Sequence, residues 1–152
     1  MIKIRRANTG EENIILVLVK TVLNDYGLTV NTLTTDKDIT DLEKYYFRNN
    51  GWFAVLECNE KPVGTYGIYG MKNNVCELRK MYLLKEYQGR GLGKMMMEDA
   101  MEVARGLGYK RMILETNKVM FKAMHLYQKF GFIEYKPSHL SDRCDFAMWK
   151  EL

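Results

Sequence analysis

The chain has 152 residues, 47% of them hydrophobic, and a formal net charge of +4. This length suits one domain with a real core, and the charge is too small and too scattered to indicate a nucleic-acid partner. No apolar run approaches the ~20 residues that span a bilayer, and residues 1–6 alternate charged with aliphatic side chains, unlike a signal peptide. We therefore expect a single domain over residues 1–152 that is cytoplasmic and has no membrane or nucleic-acid partner.

The first part of the chain predicts a strand, two helices and a long connection. Residues 1–7 alternate like a half-buried strand, and residues 11–23 have the composition of an apolar-rich helix. Residues 28–39 are polar and have no period, which is typical of a loop. Thr40 is a candidate N-cap for a short helix over residues 41–49.

Apolar and alternating runs separated by turn residues continue to the end of the chain. Strand-helix-strand passages in this part would give a parallel pair inside an otherwise antiparallel sheet. The predicted fold class is therefore α/β (α+β), a mixed, mostly antiparallel central sheet flanked by helices. The predicted strands cover residues 52–58, 63–69, 75–84, 110–116, 132–135 and 145–149, and the predicted helices cover residues 91–106 and 119–130. Four methionines of the first of these helices are predicted to fill the core: Met95, Met96, Met97 and Met101.

The turn after the central strand has the composition of an anion-binding loop. Its sequence is Gln88-Gly89-Arg90-Gly91-Leu92-Gly93, and the helix that follows opens with Lys94. Unpaired N–H groups and the helix dipole attract anions at a helix N-terminus, and glycine lets a phosphate approach the backbone. The spacing fits neither a Walker loop nor the dinucleotide fingerprint, because Gln88 and Lys94 stand where those motifs need glycine.

This Q-x-x-G-x-G turn behind a strand resembles the pyrophosphate-binding motif of the GNAT superfamily of acetyl-CoA-dependent N-acetyltransferases. Two further stretches agree with the resemblance at the family's spacing: Ile113-Leu114-Glu115-Thr116, and Ala123-Met124-His125-Leu126-Tyr127-Gln128-Lys129-Phe130-Gly131-Phe132, which is similar to A-x-x-L-Y-x-K-x-G-F. The resemblance covers residues 52–135. It implies the GNAT acyl-CoA N-acyltransferase fold and acetyl-CoA as the cofactor.

The resemblance also implies which residues contact the cofactor. The backbone of the central strand would pair with the pantetheine arm as if it were an added strand, and in the family this strand often bulges and leaves its neighbour. The chain departs from the family at Met120, where many members carry an Asn that touches the cofactor. The implied contacts are Met81, Tyr82 and Leu83 for the arm, Gln88, Gly89, Arg90, Gly91, Leu92, Gly93 and Lys94 for the pyrophosphate, and Asn117, Lys122 and Lys129 nearby.

Tyr127 in the third motif is predicted to be the general acid. A phenol with an ordinary pKa of about 10 is protonated at neutral pH and can donate to the departing sulfur. Helical spacing alone would favour a core aromatic at this position, whereas the resemblance favours the catalytic role. His125 on the same helix is predicted to be an exposed residue without a catalytic role.

Glu77 on the central strand is the candidate general base. A carboxylate is a weak base for an ammonium group, so it would act through a water or a raised pKa. Glu77 shares a face with Arg79 and Met81 if no bulge intervenes. An ion pair with Arg79 or Lys80 is the alternative role for Glu77, and Glu115 is the competing base.

The predicted reaction is the direct transfer of acetyl from acetyl-CoA to the primary amine of a small molecule in a ternary complex. Acetylation of a protein N-terminus or lysine is one alternative, and a non-catalytic acyl-CoA sensor is another. Arg143 could hold a carboxylate of the acceptor. Homodimers are common in such folds, and the sequence leaves this open. Three distant cysteines, Cys58, Cys76 and Cys144, indicate reduced thiols and no metal or redox site.

Overall fold

Seven strands form one sheet in the computed structural model, which describes residues 1–152. The order of strands and helices along the chain is the predicted one. No helix combines the length and the apolar character needed to cross a bilayer. The strands are β1 (Ile2–Arg6), β2 (Trp52–Cys58), β3 (Lys61–Gly70), β4 (Val75–Leu83), β5 (Arg111–Thr116), β6 (Ile133–Tyr135) and β7 (Phe146–Glu151), and the helices are α1 (Glu12–Asp25), α2 (Leu42–Tyr45), α3 (Leu92–Gly106) and α4 (Phe121–Lys129).

The sheet has the order β1-β2-β3-β4-β5-β7-β6. Every neighbouring pair is antiparallel except β4 and β5, which run parallel because α3 carries the chain back between them. This arrangement confirms the prediction of a parallel pair inside a mostly antiparallel sheet. The parallel pair lies near the middle of the sheet, and the carboxyl ends of both strands lie at the same edge.

The two faces of the sheet carry separate apolar cores. Side chains of β2 alternate between them, so that Ala54 packs in the cluster of Met97 on α3, whereas Phe53 and Val55 pack in the cluster of Val19 on α1. Burying a large apolar side chain contributes about 1.5–3 kcal/mol. Because apolar side chains of the strands point alternately to the two faces, α1 and α3 pack on opposite faces of the sheet.

Strand β4 contains a bulge at Lys80, whose φ is 54°. The register with β3 shifts between Thr65 and Gly67, so two residues of β4 face one of β3. The side chain of Lys80 points to the α1 face, and Met81 packs against the cores on the α3 face. The sequence predicts that Met81 shares the face of Glu77 and Arg79 only in the absence of a bulge; the bulge is present and reverses the alternation, so Met81 lies on the opposite face.

The short helix α2 is capped by Asp41 and not by Thr40. The Asp41 carboxylate accepts a hydrogen bond from the Lys44 N–H at 3.1 Å. The Thr40 hydroxyl instead donates to the Lys37 carbonyl at 2.6 Å and closes the preceding 3₁₀ turn, Lys37–Thr40. After α2 the chain forms a second 3₁₀ turn, Phe47–Asn49, so the predicted helix over residues 41–49 is divided in two.

Met97→Ala should lower the free energy of unfolding by about 2–5 kcal/mol, because truncating a fully buried side chain leaves a cavity. Met97 is 0% exposed. Met95→Ala is the matched control on the same helix, since Met95 is only half-buried and packs at the edge of a core. Urea denaturation measures both variants, and equal losses would contradict the difference in burial.

Candidate active site

Strands β4 and β5 diverge at one end and leave a gap between them. Their pairing ends at Leu78 and Leu114, so residues 79–83 of β4 have no neighbouring strand on that side. Two cavities lie at this gap, with volumes of about 360 and 300 Å³. Because Met81, Tyr82 and Met120 line both of them, the cavities adjoin at the end of β4.

The two cavities differ in what lines them. The larger one, the helix-side cleft, is lined by the glycine-rich turn, the first turn of α3 and residues of α4. The smaller one, the polar cavity, is lined mainly by charged and hydroxyl-bearing residues of β4, β5 and the loop before β7. The site therefore has one half suited to an extended anionic ligand and one half suited to a polar ligand.

The glycine-rich turn presents free backbone donors to the helix-side cleft. The N–H groups of residues 89–94 make no hydrogen bond within the chain. Gly89 and Gly91 have φ of 76° and 79°, and a Cβ at either would meet nothing within 4 Å, so the space above the turn is open. The Gln88 side chain fixes the turn by donating to the Leu83 carbonyl at 2.9 Å. Such an array at the start of a helix fits a pyrophosphate.

Most of the predicted cofactor residues lie around the helix-side cleft. Arg90 does not line the cleft; its guanidinium lies 5.3 Å from the centre of the Tyr87 ring. The Leu92 side chain is buried in the core, so Leu92 can contribute only its backbone N–H to the site. Asn117 lines the polar cavity instead, where its amide donates to the Arg143 carbonyl at 2.9 Å. The predicted residues that do line the cleft are Met81, Tyr82, Leu83, Gln88, Gly89, Gly91, Gly93, Lys94, Lys122 and Lys129.

Tyr127 lies in α4 with its hydroxyl directed into the polar cavity. The side chain is 5% exposed, and its ring packs at a tilt against Phe132. The hydroxyl makes no hydrogen bond within the chain. Every fully buried polar side-chain atom does have a partner, so this hydroxyl is not fully buried and contacts the open cavity. Burial raises the pKa of Tyr127 well above its usual value. The phenol is therefore protonated at neutral pH and available as a donor.

Glu77 also lines the polar cavity, but it is paired. Its carboxylate accepts a hydrogen bond from the Arg79 Nε–H, and Arg79 stacks over the Tyr69 ring at 3.7 Å. Burial raises the pKa of Glu77 more than Arg79 lowers it, so the net pKa lies above the usual value. Glu77 thus has the raised pKa that a general base needs, and it also makes the ion pair with Arg79 that was its alternative role.

A buried cluster of charges lies beneath the polar cavity. The Lys80 ammonium is 3.3 Å from a carboxylate oxygen of Asp36 and 3.0 Å from one of Asp38. Asp38 also accepts a hydrogen bond from the Tyr46 hydroxyl. The segments around Asp36, Asp38 and Arg143 are expected from the sequence to contact the acceptor. By contrast, no motif in the sequence singles out Lys80 as a site residue. The one available signal was a lysine in the middle of a central strand, since a buried lysine needs an anionic partner.

Arg143 completes this cluster from the loop before β7. Its guanidinium makes a bidentate pair with Asp36, at 2.5 and 2.8 Å, and donates to the Thr29 carbonyl at 3.1 Å and to the Tyr82 hydroxyl at 3.5 Å. These bonds occupy both terminal nitrogens. The structure therefore argues against the hypothesis that Arg143 holds a carboxylate of the acceptor, because Asp36 already fills that role.

Comparisons with known proteins agree with one family. The family model described as "Acetyltransferase (GNAT) family" matches residues 21–132. Among curated proteins, the chain is 34% identical over 158 residues to the protein named "Uncharacterized N-acetyltransferase YjgM" from Escherichia coli K12. This alignment covers 97% of this chain and 93% of that protein.

Solved structures with the same fold include an acetyltransferase of the GNAT family from Staphylococcus aureus Mu50. Its TM-score is 0.91 at 22% identity, over 99% of both chains. The PaiA N-acetyltransferase from Thermoplasma acidophilum, solved in complex with coenzyme A, has a TM-score of 0.77 at 20% identity, over 100% of this chain and 99% of that one. At these identities the likeness establishes the fold.

Asp36→Asn should lower the free energy of unfolding at pH 7 by about 3–5 kcal/mol, because it leaves Lys80 and Arg143 without a buried counter-charge. Burial alone would raise the pKa of Asp36, but the hydrogen bonds from Arg143 and the charge of Lys80 outweigh it and lower the pKa. The stability that Asp36 contributes is therefore present above its unfolded pKa of about 3.9 and lost as the pH falls through the lower folded value.

Urea denaturation between neutral and acidic pH tests this sign. The difference between wild type and Asp36→Asn should shrink as the pH falls below about 4. Asp142→Asn is the matched control, since Asp142 is exposed and makes no ion pair, and it should leave stability unchanged. A difference for Asp36→Asn that stays constant with pH would contradict the assigned role.

Proposed function

The chain belongs to the acetyltransferase (GNAT) family, and from this premise we propose that it transfers the acetyl group of acetyl-CoA to the primary amine of a small molecule. Membership makes the chain an acyltransferase of the N-acetyltransferase type that binds acyl-CoA. The acetyl donor, the small-molecule acceptor and direct transfer in a ternary complex are the proposal. One domain over residues 1–152, a cytoplasmic location and a homodimer stay predictions.

The observation that carries the proposal is the meeting of the two cavities at Met81, Tyr82 and Met120. A donor in the helix-side cleft and an acceptor in the polar cavity would lie side by side, which direct transfer requires. Cys144 is the thiol that lines the polar cavity, and burial raises its pKa. It is then protonated at neutral pH and unsuited to a covalent relay, which also favours direct transfer.

We assign the phosphate half of the cofactor to the glycine-rich turn. The free N–H groups of residues 89–94 would bind the pyrophosphate, and Lys94, Lys122 and Lys129 would add positive charge along the same cleft. Gln88 would act by holding the turn against Leu83. The departure from the family at Met120 suits this arrangement, because Met120 forms part of the apolar wall between the two cavities.

We assign the pantetheine half to the unpaired edge of β4. Beyond Leu78 this edge has no neighbouring strand, so the backbone at Met81, Tyr82 and Leu83 would pair with an amide-bearing arm in the manner of an added strand. A backbone N–H at this edge would also polarise the carbonyl under attack, as in an oxyanion hole. The bulge at Lys80 supports both roles, because it turns this stretch of β4 away from β5.

Acetyl-CoA bound in this way supplies an acetyl group activated as a thioester. Transfer to an amine requires that the ammonium lose a proton and that the departing sulfur gain one. Tyr127 would donate the proton to the sulfur, since its hydroxyl is protonated and free in the polar cavity. Glu77 would take the ammonium proton through a water, its raised pKa bringing it closer to the basicity that this step needs.

Thiol release from acetyl-CoA across a panel of amines, amino acids and peptides tests the proposed function. Turnover of a small amine is the expected result. Turnover of peptides alone would favour the alternative of a protein N-acetyltransferase, and coenzyme A binding with no thiol release would favour a sensor.

Tyr127→Phe should lower kcat by about 100-fold or more, because a positioned general acid contributes at least that factor. Coenzyme A affinity should stay unchanged, since Tyr127 lines only the polar cavity. Tyr45→Phe is the matched control, because Tyr45 lies outside both cavities and its hydroxyl makes no hydrogen bond. An unchanged kcat in Tyr127→Phe would transfer the proton donation to water.

Gly91→Ala should weaken coenzyme A binding by about tenfold. Alanine at a φ of 79° is strained by about 1–2 kcal/mol, and a shift of the turn that relieves this strain would disperse the N–H groups. Calorimetric titration with coenzyme A measures the loss. Gly106→Ala on the same helix is the control, since Gly106 has an ordinary φ and open space around it, and a similar loss there would contradict the role of the turn.

A further inference from the structure

Glu115 differs from the other charged residues that line the polar cavity. Glu77 is paired with Arg79, Lys80 with Asp36 and Asp38, and Arg143 with Asp36. No basic side chain lies within ion-pair distance of Glu115. It is therefore the acidic group of the cavity whose charge the chain itself does not neutralise.

The hydrogen bonds of Glu115 leave one of its oxygens available. Ser141 donates to Oε1 through both its N–H and its hydroxyl, each at 2.9 Å. Oε2 accepts no hydrogen bond. Because every fully buried polar side-chain atom has a partner, Oε2 is not fully buried and is open to the cavity. Ser141 thus fixes the orientation of the carboxylate and leaves the second oxygen free for a ligand.

The position of Glu115 suits contact with an acceptor. Ile113 pairs with Glu77 across the parallel strands, and Glu115 follows it just after the last pair, Leu78 with Leu114. Glu115 therefore lies where the strands diverge, in the cavity that also receives the Tyr127 hydroxyl. Its charge is close enough to Glu77 to raise the pKa of that group, after the larger effect of burial.

Each positive group of the cavity already faces a carboxylate of the chain. The Lys80 ammonium is surrounded by Asp36, Asp38 and the Thr35 carbonyl, which match its three protons. Arg143 is held by Asp36, and Arg79 by Glu77 and Asp38. His139, the remaining basic residue of the lining, is exposed.

The balance of charges around the cavity is negative by one. Four acidic groups, Asp36, Asp38, Glu77 and Glu115, face three basic groups, Arg79, Lys80 and Arg143. A cationic ligand would restore neutrality, whereas an additional carboxylate would be repelled by Glu115 and would meet only cations that already have an acidic partner.

We propose that Glu115 binds the ammonium group of the acceptor through Oε2, and that the acceptor is an amine without a carboxylate beside its amino group. This inference rests on the proposed function and specifies its substrate class. Glu115 is then a residue for substrate recognition, distinct from the proton donor Tyr127. Ser141 is a positioning residue, since it acts by orienting the carboxylate.

Matched pairs of acceptors that differ only by a carboxylate test the substrate class. Tyramine with tyrosine and agmatine with arginine form two such pairs, and aspartate is added as a strongly anionic acceptor. In thiol release from acetyl-CoA, the member without the carboxylate should have a kcat/KM at least about tenfold higher. Equal or better turnover of the amino acids, or turnover of aspartate, would overturn the inference.

Glu115→Gln tests the residue itself, because glutamine keeps an oxygen for the Ser141 hydrogen bonds and removes the charge. The KM for the preferred amine should rise about tenfold or more, with the KM for acetyl-CoA unchanged. Glu134→Gln on β6 is the matched control, since Glu134 is exposed and lines neither cavity. A loss confined to kcat would assign Glu115 to proton transfer, and no change relative to the control would remove it from the site; either result overturns the inference.

Failure of the proposed function has a different outcome. If no acceptor releases thiol although coenzyme A binds, the function is contradicted, and calorimetric titration of the amine pairs into the coenzyme A complex then tests Glu115 alone. Tighter binding of the amines than of the amino acids, lost in Glu115→Gln, would support the inference. Equal binding of both members of each pair would overturn it.

Discussion

The arrangement of the site depends on the backbone conformation of one residue, Lys80. Its φ of 54° lies in the left-handed region, which costs about 1–2 kcal/mol for a residue other than glycine. Two contacts hold this conformation: the ammonium lies between Asp36 and Asp38, and the Lys80 carbonyl accepts a hydrogen bond from the Thr65 hydroxyl at 2.7 Å. Because a bulge bends its strand, β4 leaves β5 after Leu78, and the resulting gap contains both cavities.

The charged residues around Lys80 mainly fix the positions of chain segments and add little net stability. Ion pairs buried this deeply contribute little net stability compared with well-packed apolar residues, whereas removal of one partner is costly. Asp36 therefore joins three segments that are distant in the sequence: its own loop, β4 through Lys80, and the loop before β7 through Arg143. These same segments line the polar cavity. The bulge that opens the gap and the walls of its polar half are consequently held by one set of contacts.

Sequence patterns predicted the order of strands and helices and the glycine-rich turn, because both depend on neighbouring residues. They were wrong where two neighbours have similar preferences, and they left the answer open where one dihedral angle decides. Thr40 and Asp41 are both good caps, and only the structure shows that the Thr40 hydroxyl closes the preceding turn. The face of Met81 depended on whether the strand bulges, and a single left-handed residue decides it. No spacing rule indicates that angle at a lysine.

The two halves of the site differ in predictability for the same physical reason. The helix-side cleft offers backbone N–H groups, whose direction follows from local geometry at the start of a helix, so a short motif is enough to identify it. The polar cavity is built from side chains, and the pair that closes it, Asp36 with Arg143, is separated by 107 residues. Whether a carboxylate such as Glu115 carries an uncompensated charge depends on every other pairing in the cavity. The donor side of the chemistry is therefore encoded locally, whereas acceptor recognition is a property of the folded chain alone.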